Sequence, residues 1–391
     1  MLSLAAAAVA AADAGRGTLD EALDRAPADC RRILEHLLLS VFRYRKSIRR
    51  AWSVFCRKFP APETAALLDA ALTQCRYQSA VEGPSVVNVA VRLAKKFHAD
   101  KFVNAVLRAA LRQPAVPPSS AEEILPDAVL RRWRENFSAG EVEKMAGLFL
   151  ERPEFSFRLC GSAGLPEGCA ALEGHPPFRF GSGEPSRILH SPEFLRGEYY
   201  IQDPSASLAV ALAADGLPGC RKVLDLCAAP GGKALRAAEL LGAAGELTAA
   251  DPSAYRQKLT RENFALRGVT AKIVTAGPEE IDGLFDLVIA DVPCSNTGVF
   301  RRRPDALWRF SEEALAEIMA IQSGIVRRAA ALTAPGGRLL LSSCSIEADE
   351  NRGLIAAALA AGHFTLLRQA AVLPDRHHDG AFAALLGKNR D

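Results

Sequence analysis

The chain has 391 residues, of which 49% are hydrophobic and 24% charged, and its formal net charge is +3. This length exceeds one ordinary domain, so we expect two or three, and the composition is typical of a soluble globular protein. The small positive charge permits an anionic partner without requiring one. No stretch approaches the ~18–20 apolar residues of a membrane span, so no membrane partner is expected.

The cysteines argue against a disulfide-stabilised or zinc-binding protein. There are nine of them, an odd number, and none lies in a C-x-x-C pair or a Cys/His cluster. We therefore expect no disulfide framework and no metal, and a reducing, cytoplasmic compartment fits best. The alanine-rich start, residues 1–14, lacks the basic region of a secretory signal and is better explained as a short helix.

The first part of the chain is predicted to be helical. Apolar residues recur at spacings of three and four, as in the stripe Ile33, Leu37 and Val41, and indicate an all-α domain over residues 1–113. Many positions on its helix faces are basic, among them Arg43, Arg45, Lys46, Arg49, Arg50, Lys95, Lys96, Lys101, Arg108 and Arg112. Two interpretations remain open: solvated helix faces, or a surface that binds nucleic acid.

The middle of the chain is less regular. Residues 114–127, rich in proline and serine at their start, are predicted to be a linker. Residues 128–205 begin with a helical pattern and continue as short strands and turns with many glycines and prolines. We expect a small α+β adaptor there.

Strands alternate with helices over residues 206–391. The predicted strands begin at Val223, Glu246, Lys272, Leu284 and Arg338, with helices between most of them. Such alternation predicts an α/β fold with a mostly parallel sheet covered on both faces. The tail segments 364–367 and 381–386 are candidates for an edge hairpin that closes this sheet.

The first strand of this region leads directly into a glycine loop. Gly231 and Gly232 stand at the mouth of a helix, where backbone amides can face a polar ligand. Asp251 ends the next predicted strand, 20 residues beyond Gly231, a spacing that suits hydrogen bonds to ribose hydroxyls. The loop has neither the dinucleotide nor the P-loop pattern, so a nucleoside without a pyrophosphate, such as S-adenosylmethionine, is favoured. The alternative is a plain helix cap followed by a surface aspartate.

Two cysteines follow predicted buried strands in matching settings. Cys294 stands in the run DVPCS after the apolar residues 285–290, and Cys344 stands in SSCS after residues 339–341. Because open α/β sheets place ligands at strand ends, both sulfurs are expected at one edge of the sheet. A thiol there can attack an electrophilic ring carbon.

Three of these motifs together carry a resemblance to a known family. CAAPGGK at 227–233, DVPCSNTGVFRRRPDALW at 291–308 and SCSIEADEN at 343–351 resemble the RsmB/Sun-type RNA cytosine-C5 methyltransferases. These motifs are highly specific. The resemblance implies a Rossmann-like class I methyltransferase sheet over residues 206–391.

Weaker motifs extend the resemblance over nearly the whole chain. The segment KFVNAVLR at 101–108 is similar to a helix of the NusB-like domain found in the ribosomal branch of the family. YIQDPSA at 200–206 resembles the family's lead-in to the catalytic domain, and DGAF at 379–382 is similar to its closing segment. An all-α NusB-like, RNA-binding bundle and a small α+β adaptor are therefore expected before the sheet.

The resemblance also implies roles for individual residues. The residues that would wrap the methionine end of S-adenosylmethionine are Cys227, Ala228, Ala229, Pro230, Gly231, Gly232 and Lys233. Asp251 would hold the ribose, and Asp291 would lie beside both cofactor and target base; the alternative for Asp291 is a carboxylate that only caps the strand end. The chain departs from the family pattern in two places. An aspartate usual after the third strand is replaced by residues of the run 276–279, AGPE, and Ser343 stands where a threonine usually precedes the nucleophile.

Methylation at C5 of cytosine explains the need for sulfur. Carbon 5 is a poor nucleophile until a thiolate adds to carbon 6, and the C5 proton must then be removed before the sulfur can leave. In DNA cytosine methyltransferases the Pro-Cys thiol attacks, which would point to Cys294. In the RNA family that this chain resembles, the later cysteine attacks, so we predict Cys344 as the nucleophile and Cys294 in product release.

The resemblance implies that the substrate is small-subunit (16S) ribosomal RNA, acted on before assembly buries the site. The target base must be unstacked, which favours single-stranded or looped RNA. Arg301, Arg302 and Arg303 are predicted to hold backbone phosphates; the alternative is an exposed loop without a ligand. We expect a monomer. Two other functions stay open: a non-catalytic RNA-binding or ribosome-assembly factor, and a cytosine-C5 methyltransferase acting on transfer RNA or DNA.

Overall fold

The computed structural model describes residues 1–78 and 81–390. The chain forms two compact units. The first comprises Met1–Arg152 and Phe300–Ser311, and the second comprises Pro153–Val299 and the chain from Glu312 onward. Each unit has its own hydrophobic core.

The secondary structure is mainly helical up to residue 150 and mixed thereafter. The helices, in chain order, are α1 Leu2–Asp13, α2 Leu19–Asp24, α3 Ala28–Ser53, α4 Pro62–Tyr77, α5 Gly83–Ala94, α6 Asp100–Leu111, α7 Ala121–Ile124, α8 Asp127–Asn136, α9 Ala139–Leu150, α10 Pro185–Leu189, α11 Pro192–Leu195, α12 Leu208–Ala213, α13 Gly232–Leu240, α14 Ala254–Leu266, α15 Pro304–Arg309, α16 Glu312–Leu332 and α17 Ala348–Ala360. The strands are β1 Ser156–Leu159, β2 Ala170–Leu172, β3 Arg179–Ser182, β4 Tyr199–Ile201, β5 Lys222–Asp225, β6 Glu246–Asp251, β7 Lys272–Thr275, β8 Phe285–Asp291, β9 Thr333–Ser343, β10 Phe364–Val372 and β11 Ala381–Lys388.

The first unit is a helical bundle in which α4 is central. Residues 64–74 of α4 are all buried, and small alanine side chains let the neighbouring helices pack close to it. Leu37 and Val41 of α3 are fully buried, as their spacing predicted, whereas Ile33 is 52% exposed. A spacing of four turns about 40° around the helix at each step, which carries Ile33 off the buried face.

Two of the basic residues that sequence analysis placed on helix faces are instead internal. Arg43 and Arg45 are 6% and 1% exposed. The Nη2 of Arg43 donates to the carbonyl of Arg301 at 2.7 Å, and Arg45 forms an ion pair with Asp13. Burial lowers the pKa of Arg43 to about 10. Both arginines therefore hold the bundle together, and neither is available to RNA or bulk water.

The first unit also includes residues that were predicted to belong to the adaptor. Helices α8 and α9 belong to it, although residues 128–205 were expected to form one adaptor. The side chains of Trp133 and Phe149 are buried, with ring centroids 5.5 and 6.0 Å from that of Phe300. This aromatic packing groups residues 121–150 and 300–311 with the bundle.

The second unit contains two sheets. The smaller, antiparallel sheet has the order β2-β3-β1-β4 and fills the part of the predicted adaptor after Pro153. The larger has seven strands in the order β10-β11-β9-β8-β5-β6-β7. Its strands β5 to β9 pair in parallel, and β11 runs antiparallel between β9 and β10. The predicted α/β sheet and its closing edge hairpin are confirmed.

The order of the large sheet fixes where a ligand can bind. From β5 the chain proceeds outward through β6 and β7 and then returns to β8 on the opposite side of β5. The crevice at the carboxyl ends of β5 and β8 is thus a topological switch point, the usual ligand site of open α/β sheets. Asp225, Asp251 and Asp291 end β5, β6 and β8, respectively. The carboxylates of three neighbouring strands therefore meet at this edge.

Candidate active site

The loop between β5 and α13 requires glycine at position 231 and is closely packed at position 232. Gly231 has a φ of +102°, a conformation that side chains disfavour, and a Cβ there would lie 2.9 Å from the ring of Phe264. A Cβ on Gly232 would lie 2.8 Å from the side-chain nitrogen of Gln202. The loop thus lies close against its neighbours and turns directly into the first, unpaired amides of α13.

A cavity of about 180 Å³, here called the cofactor cavity, opens above this loop. It is lined by Tyr200, Ile201, Gln202, Asp225, Cys227, Ala228, Ala229, Pro230, Gly232, Lys233 and Asp291. The structure thus brings together most of the residues predicted to bind the cofactor. Gly231 and Asp251 were also predicted to bind the cofactor, but they are not among the residues that line this cavity.

Asp251 connects the glycine loop to β6. Asp251 is 1% exposed, and its side-chain oxygens accept hydrogen bonds from the amides of Ala229 at 3.3 Å and Ser253 at 2.9 Å. Arg256 lies 3.3 Å from the same carboxylate. In this arrangement Asp251 positions the loop, and its contact with a ribose stays a prediction.

Asp225 is a site residue to which sequence analysis gave no role. It is 1% exposed, and neither of its carboxylate oxygens has the geometry of a hydrogen bond to a described residue. Burial, and then the charge of Asp291, raise its pKa to about 7. Its position as the last residue of β5, immediately before the glycine loop, was the signal that could have identified it.

Lys233 and Asp291 form an ion pair at the centre of the site. The Nζ of Lys233 donates to Asp291 Oδ2 at 2.7 Å, and the hydroxyl of Ser342 donates to Oδ1 at 2.7 Å. Burial acts to lower the pKa of Lys233, but the charge and hydrogen bond of Asp291 outweigh it, and the pKa is raised. Asp291 is therefore fixed by Ser342 of β9 on one side and by Lys233 in the first turn of α13 on the other.

A second cavity, of about 100 Å³, shares Lys233 and Asp291 with the first. We call it the base cavity. Its lining consists of Asp203, Ser205, Ala206, Leu208, Ala209, Lys233, Asp291, Val299, Ser342, Ser343, Cys344, Asp379, Gly380, Ala381 and Phe382. Cys344 is part of this lining, whereas Cys294 is not.

The two predicted cysteines meet at the carboxyl edge of the sheet. Their sulfurs lie 2.8 Å apart, and both are free thiols. The hydrogen bond to Cys344, followed by burial, raises the pKa of Cys294 well above its usual value. Asn296 links the pair, since its oxygen accepts from Cys344 Sγ at 3.3 Å and its nitrogen donates to the Cys294 carbonyl at 2.9 Å. The thiol of Cys294 is therefore harder to deprotonate than an ordinary cysteine thiol.

Buried polar side chains hold the two cysteine loops in register. Glu350 is fully buried and accepts from the hydroxyl of Ser295 at 2.6 Å and from Gln322 at 2.6 Å. Gln322 also donates to the carbonyl of Pro293 at 2.8 Å. The loops also contact each other directly, because the amide of Gly298 donates to the Cys344 carbonyl at 2.9 Å. Glu350 lies in the quoted run 343–351, but its partners there were not predictable.

The three predicted phosphate-binding arginines belong to the first unit. Arg301 is 1% exposed, so its side chain has no surface to offer a phosphate, and the phosphate-binding prediction is wrong for this residue. Arg302 is half-buried. Arg303 is exposed and pairs with Asp20 at 2.8 Å. Trp308, in the same run, packs against the bundle core and donates to the carbonyl of Phe42 at 2.8 Å.

The donor and acceptor set of the cofactor cavity fits a zwitterionic nucleoside better than a metal. The unpartnered carboxylate of Asp225 suits a cationic group, and the loop amides suit a polar one. Over residues 1–78 and 81–390, no cluster of three or more potential metal ligands is found. Within the same residues, no helix is long and apolar enough to cross a membrane.

The fold and the site define a class of protein. A seven-stranded sheet of this order, with a glycine loop after its first strand and a carboxylate after its second, is a Rossmann-like methyltransferase sheet. The solved structure of PH0851 has the same fold, with a TM-score of 0.77 at 23% identity over 99% of both chains. The structure of NSun6 from Pyrococcus horikoshii with SFG has a TM-score of 0.55 at 17% identity, covering 68% of this chain and 99% of that one.

Sequence comparison then gives the family. The family model for 16S rRNA methyltransferase RsmB/F matches residues 218–386, and the NusB family model matches residues 3–112. The probable ribosomal RNA small subunit methyltransferase B of Bacillus subtilis (strain 168) is 31% identical over 323 residues, which cover 75% of this chain and 71% of that protein. The chain belongs to the RsmB/F family of S-adenosylmethionine-dependent rRNA small subunit methyltransferases. The family resemblance deduced from the sequence motifs is confirmed.

Proposed function

We propose that the chain methylates C5 of a cytosine in 16S ribosomal RNA through a covalent adduct between Cys344 and C6 of the base. The observation that carries the assignment is the position of Cys344 in the lining of the base cavity, next to the Lys233–Asp291 pair that also lines the cofactor cavity. A nucleophile must face the target base, and a methyl group must reach the same base from the adjoining cavity. Cys294 lies behind Cys344 and outside this lining.

The raised pKa of Cys294 supports the same division of roles. Cys344 must first lose the proton that it donates to Asn296 in the structure. The proton kept by Cys294 can then be donated to the Cys344 thiolate, which favours the negative charge there. A thiolate is the nucleophilic form of cysteine. Cys344 is therefore the attacking sulfur of the proposal.

The proposed reaction begins at C6 of the cytosine. The Cys344 thiolate adds to C6, and the displaced electron pair makes C5 nucleophilic. When bound, the cofactor would supply an electrophilic methyl group, whose bond to the sulfonium sulfur breaks as its bond to C5 forms and leaves a neutral thioether. The C5 proton is then removed, the C6–sulfur bond breaks, and the 5,6 double bond and the Cys344 thiolate are restored. Cys294 is proposed to assist this release: the C5 proton passes to solvent water, and the protonated Cys294 hydrogen-bonds to the departing sulfur of Cys344 and stabilises it as a thiolate.

Asp291 is proposed to orient the base. Its two hydrogen bonds, from Lys233 and from Ser342, fix the carboxylate at the boundary of the two cavities. A carboxylate in that position can accept from the exocyclic amino group of cytosine, a donor that uracil lacks. This contact would therefore favour cytosine over uracil.

The decisive experiment mixes each variant with S-adenosylmethionine and unmodified 16S rRNA and looks for a protein–RNA complex that survives denaturing electrophoresis. We expect Cys294→Ala to accumulate the adduct. We expect Cys344→Ala to form none and to lose at least about 10⁴-fold in kcat, as on loss of other enzymatic nucleophiles. Cys220→Ala is the matched control, because Cys220 precedes β5 at the opposite end of that strand, and it should behave like the wild type.

Two results would overturn the proposal in different ways. An adduct that forms with Cys344→Ala and not with Cys294→Ala would exchange the roles of the two sulfurs. Mass spectrometry of the digested product that finds the new methyl group on an atom other than C5 of cytosine would refute the chemistry itself. RNA that remains unmethylated despite cofactor binding would favour an assembly factor.

A further inference from the structure

Gln202 presents its amide to the cofactor cavity in a fixed orientation. The Nε and Nη2 of Arg236 both donate to Gln202 Oε1 at 3.1 Å. A guanidinium has donors and no acceptor, so the oxygen of the amide must face Arg236 and the NH₂ group must face away. The NH₂ group lies over Gly232, where an added Cβ would approach it to 2.8 Å.

This NH₂ group has no hydrogen-bond partner in the part of the chain that the structure describes. Gln202 and Gly232 both line the cofactor cavity, so the unused donors point into the space that a ligand would fill. An amide whose oxygen is already bound by a cation is polarised, which makes its N–H groups stronger donors. The arrangement suits an anionic acceptor.

The charges around the cavity leave few other places for an anion. Asp225 and Asp291 line it, and Asp251 lies behind it. Among the residues that line the cavity, Lys233 carries the positive charge, and it already forms an ion pair with Asp291. A carboxylate group would therefore be repelled from the strand ends and attracted toward Gln202, with the guanidinium of Arg236 behind it.

Arg236 itself is a buried cation that would gain from a nearby anion. It is 0% exposed and stacks on Phe178 and Phe180, its guanidinium carbon lying 4.3 and 4.8 Å from the ring centroids. Its Nη1 has no hydrogen-bond partner within the described residues. Burial, and then the charge of Arg158, lower its pKa. An anion bound at Gln202 would offset both effects.

From these contacts we infer that Gln202 is a cofactor-binding residue whose side-chain NH₂ binds the α-carboxylate of the methionine part of S-adenosylmethionine, with Arg236 as its positioning residue. The inference rests on the proposed use of this cofactor. The α-ammonium group of the same ligand then faces the unpartnered carboxylate of Asp225. Asp225 at one end of the cavity accepts hydrogen bonds and Gln202 at the other end donates them. The ammonium and carboxylate groups of the ligand can therefore bind in one orientation only.

The test compares two ligands that differ in that carboxylate alone: S-adenosylmethionine and its decarboxylated analogue. Binding of each is measured by calorimetry to the full-length chain, without RNA. Gln202→Glu is the sharpest variant, because it keeps an oxygen facing Arg236 and replaces the donor with a second acceptor. We expect it to weaken binding of S-adenosylmethionine by about 10- to 100-fold, the value of a charge-assisted hydrogen bond. Binding of the analogue should not weaken, because the analogue has no carboxylate for the new charge to repel.

Two further variants keep the test interpretable. Gln369→Glu makes the same change at an exposed position of β10 and should alter neither affinity. Gln202→Leu removes donor and acceptor together and should also weaken S-adenosylmethionine selectively. Thermal unfolding of each variant checks that the fold persists.

Three outcomes would overturn the inference. They are equal affinity of the wild type for the two ligands, an unchanged affinity of Gln202→Glu for S-adenosylmethionine, and an equal loss of both ligands in that variant. If the wild type methylates C5 of cytosine while any of these holds, the inference alone fails. A wild type that binds S-adenosylmethionine but modifies a different atom would leave the inference intact and refute the proposed chemistry.

Discussion

Asp69 in the first unit and Asp225 in the second are both buried aspartates, and they differ in their partners. Asp69 is 0% exposed and accepts from the indole of Trp52 and from Arg49, each at 2.8 Å. Arg45 lies 3.7 Å from the same carboxylate. Asp225 is 1% exposed and has no hydrogen-bond partner among the described residues.

The difference separates a group that stabilises the fold from one that serves a ligand. Burial is the first cause of a raised pKa in both. Arg49 and Arg45 oppose it at Asp69, whereas at Asp225 the charge of Asp291 adds to it by more than either Lys233 or the amide of Cys227 opposes it. A buried carboxylate without partners costs stability, and such a cost at the edge of a cavity indicates a function. The two sites can therefore be compared by making the same substitution at each.

Asp69→Asn should have the largest effect on stability. The change removes the negative charge that Arg45 and Arg49 surround, and Arg45 is almost fully buried. Loss of one partner from a buried ion pair costs about 3–5 kcal/mol, so we expect the free energy of unfolding to fall by roughly 3 kcal/mol. Denaturant titration measures it. A loss below about 1 kcal/mol, the value of a surface pair, would show that this cluster is not the anchor that its geometry indicates.

Asp225→Asn should leave stability intact and weaken cofactor binding, in contrast to Asp69→Asn. The substitution removes an unpaired buried charge, so stability at pH 8 should be unchanged or rise by up to about 2 kcal/mol. Binding of S-adenosylmethionine should weaken by about 10- to 100-fold, because the ammonium group loses a charged acceptor. A variant that is both less stable and unimpaired in binding would contradict the proposed distinction between the two aspartates.

The pH dependence of Asp225 sharpens this prediction. Its pKa of about 7 in the folded chain lies above the unfolded value of about 3.9, so the folded protein holds a proton that the unfolded chain releases. The contribution of Asp225 to stability therefore falls as pH rises from about 4 to about 7. Cofactor affinity moves the other way: below about pH 7 the proton must leave before the ammonium group can pair, which costs about tenfold per pH unit. In Asp225→Asn this slope should disappear.

The comparison also explains how much of the molecule was predictable. The sheet, the glycine loop and the meeting of Cys294 with Cys344 follow from local patterns, since strand ends in a parallel sheet share an edge. Two features depend instead on which side chains from distant parts of the sequence lie nearby. They are the lack of hydrogen-bond partners at Asp225 and the pair of hydrogen bonds from Arg236 to Gln202. The periodicity of residues within a strand or helix does not predict such contacts between residues that are distant in sequence.

The placement of residues 300–311 was unpredictable for a related reason. The run follows the Pro-Cys motif directly in sequence, which suggested a position near the catalytic site. Phe300 is fully buried and packs on Trp133 of α8. Because of this aromatic packing, residues 300–311 belong to the first unit. Arg301 becomes internal as a result, and Arg303 remains exposed.

Arg303→Ala is expected to have the smallest effect, and it extends the comparison to a cation at the surface. Arg303 and Asp20 are each about half exposed and 2.8 Å apart, so their pair contributes little to stability. If Arg303 holds one phosphate, its loss should weaken binding of 16S rRNA a few-fold at ~0.15 M salt and should reduce the salt slope by about one. Asp20→Ala is the control: it removes the competing anion and should leave the slope unchanged while binding strengthens slightly. An unchanged slope in Arg303→Ala would identify this arginine as a solvated surface residue, and RNA contact would then have to be sought on other exposed cations of the bundle.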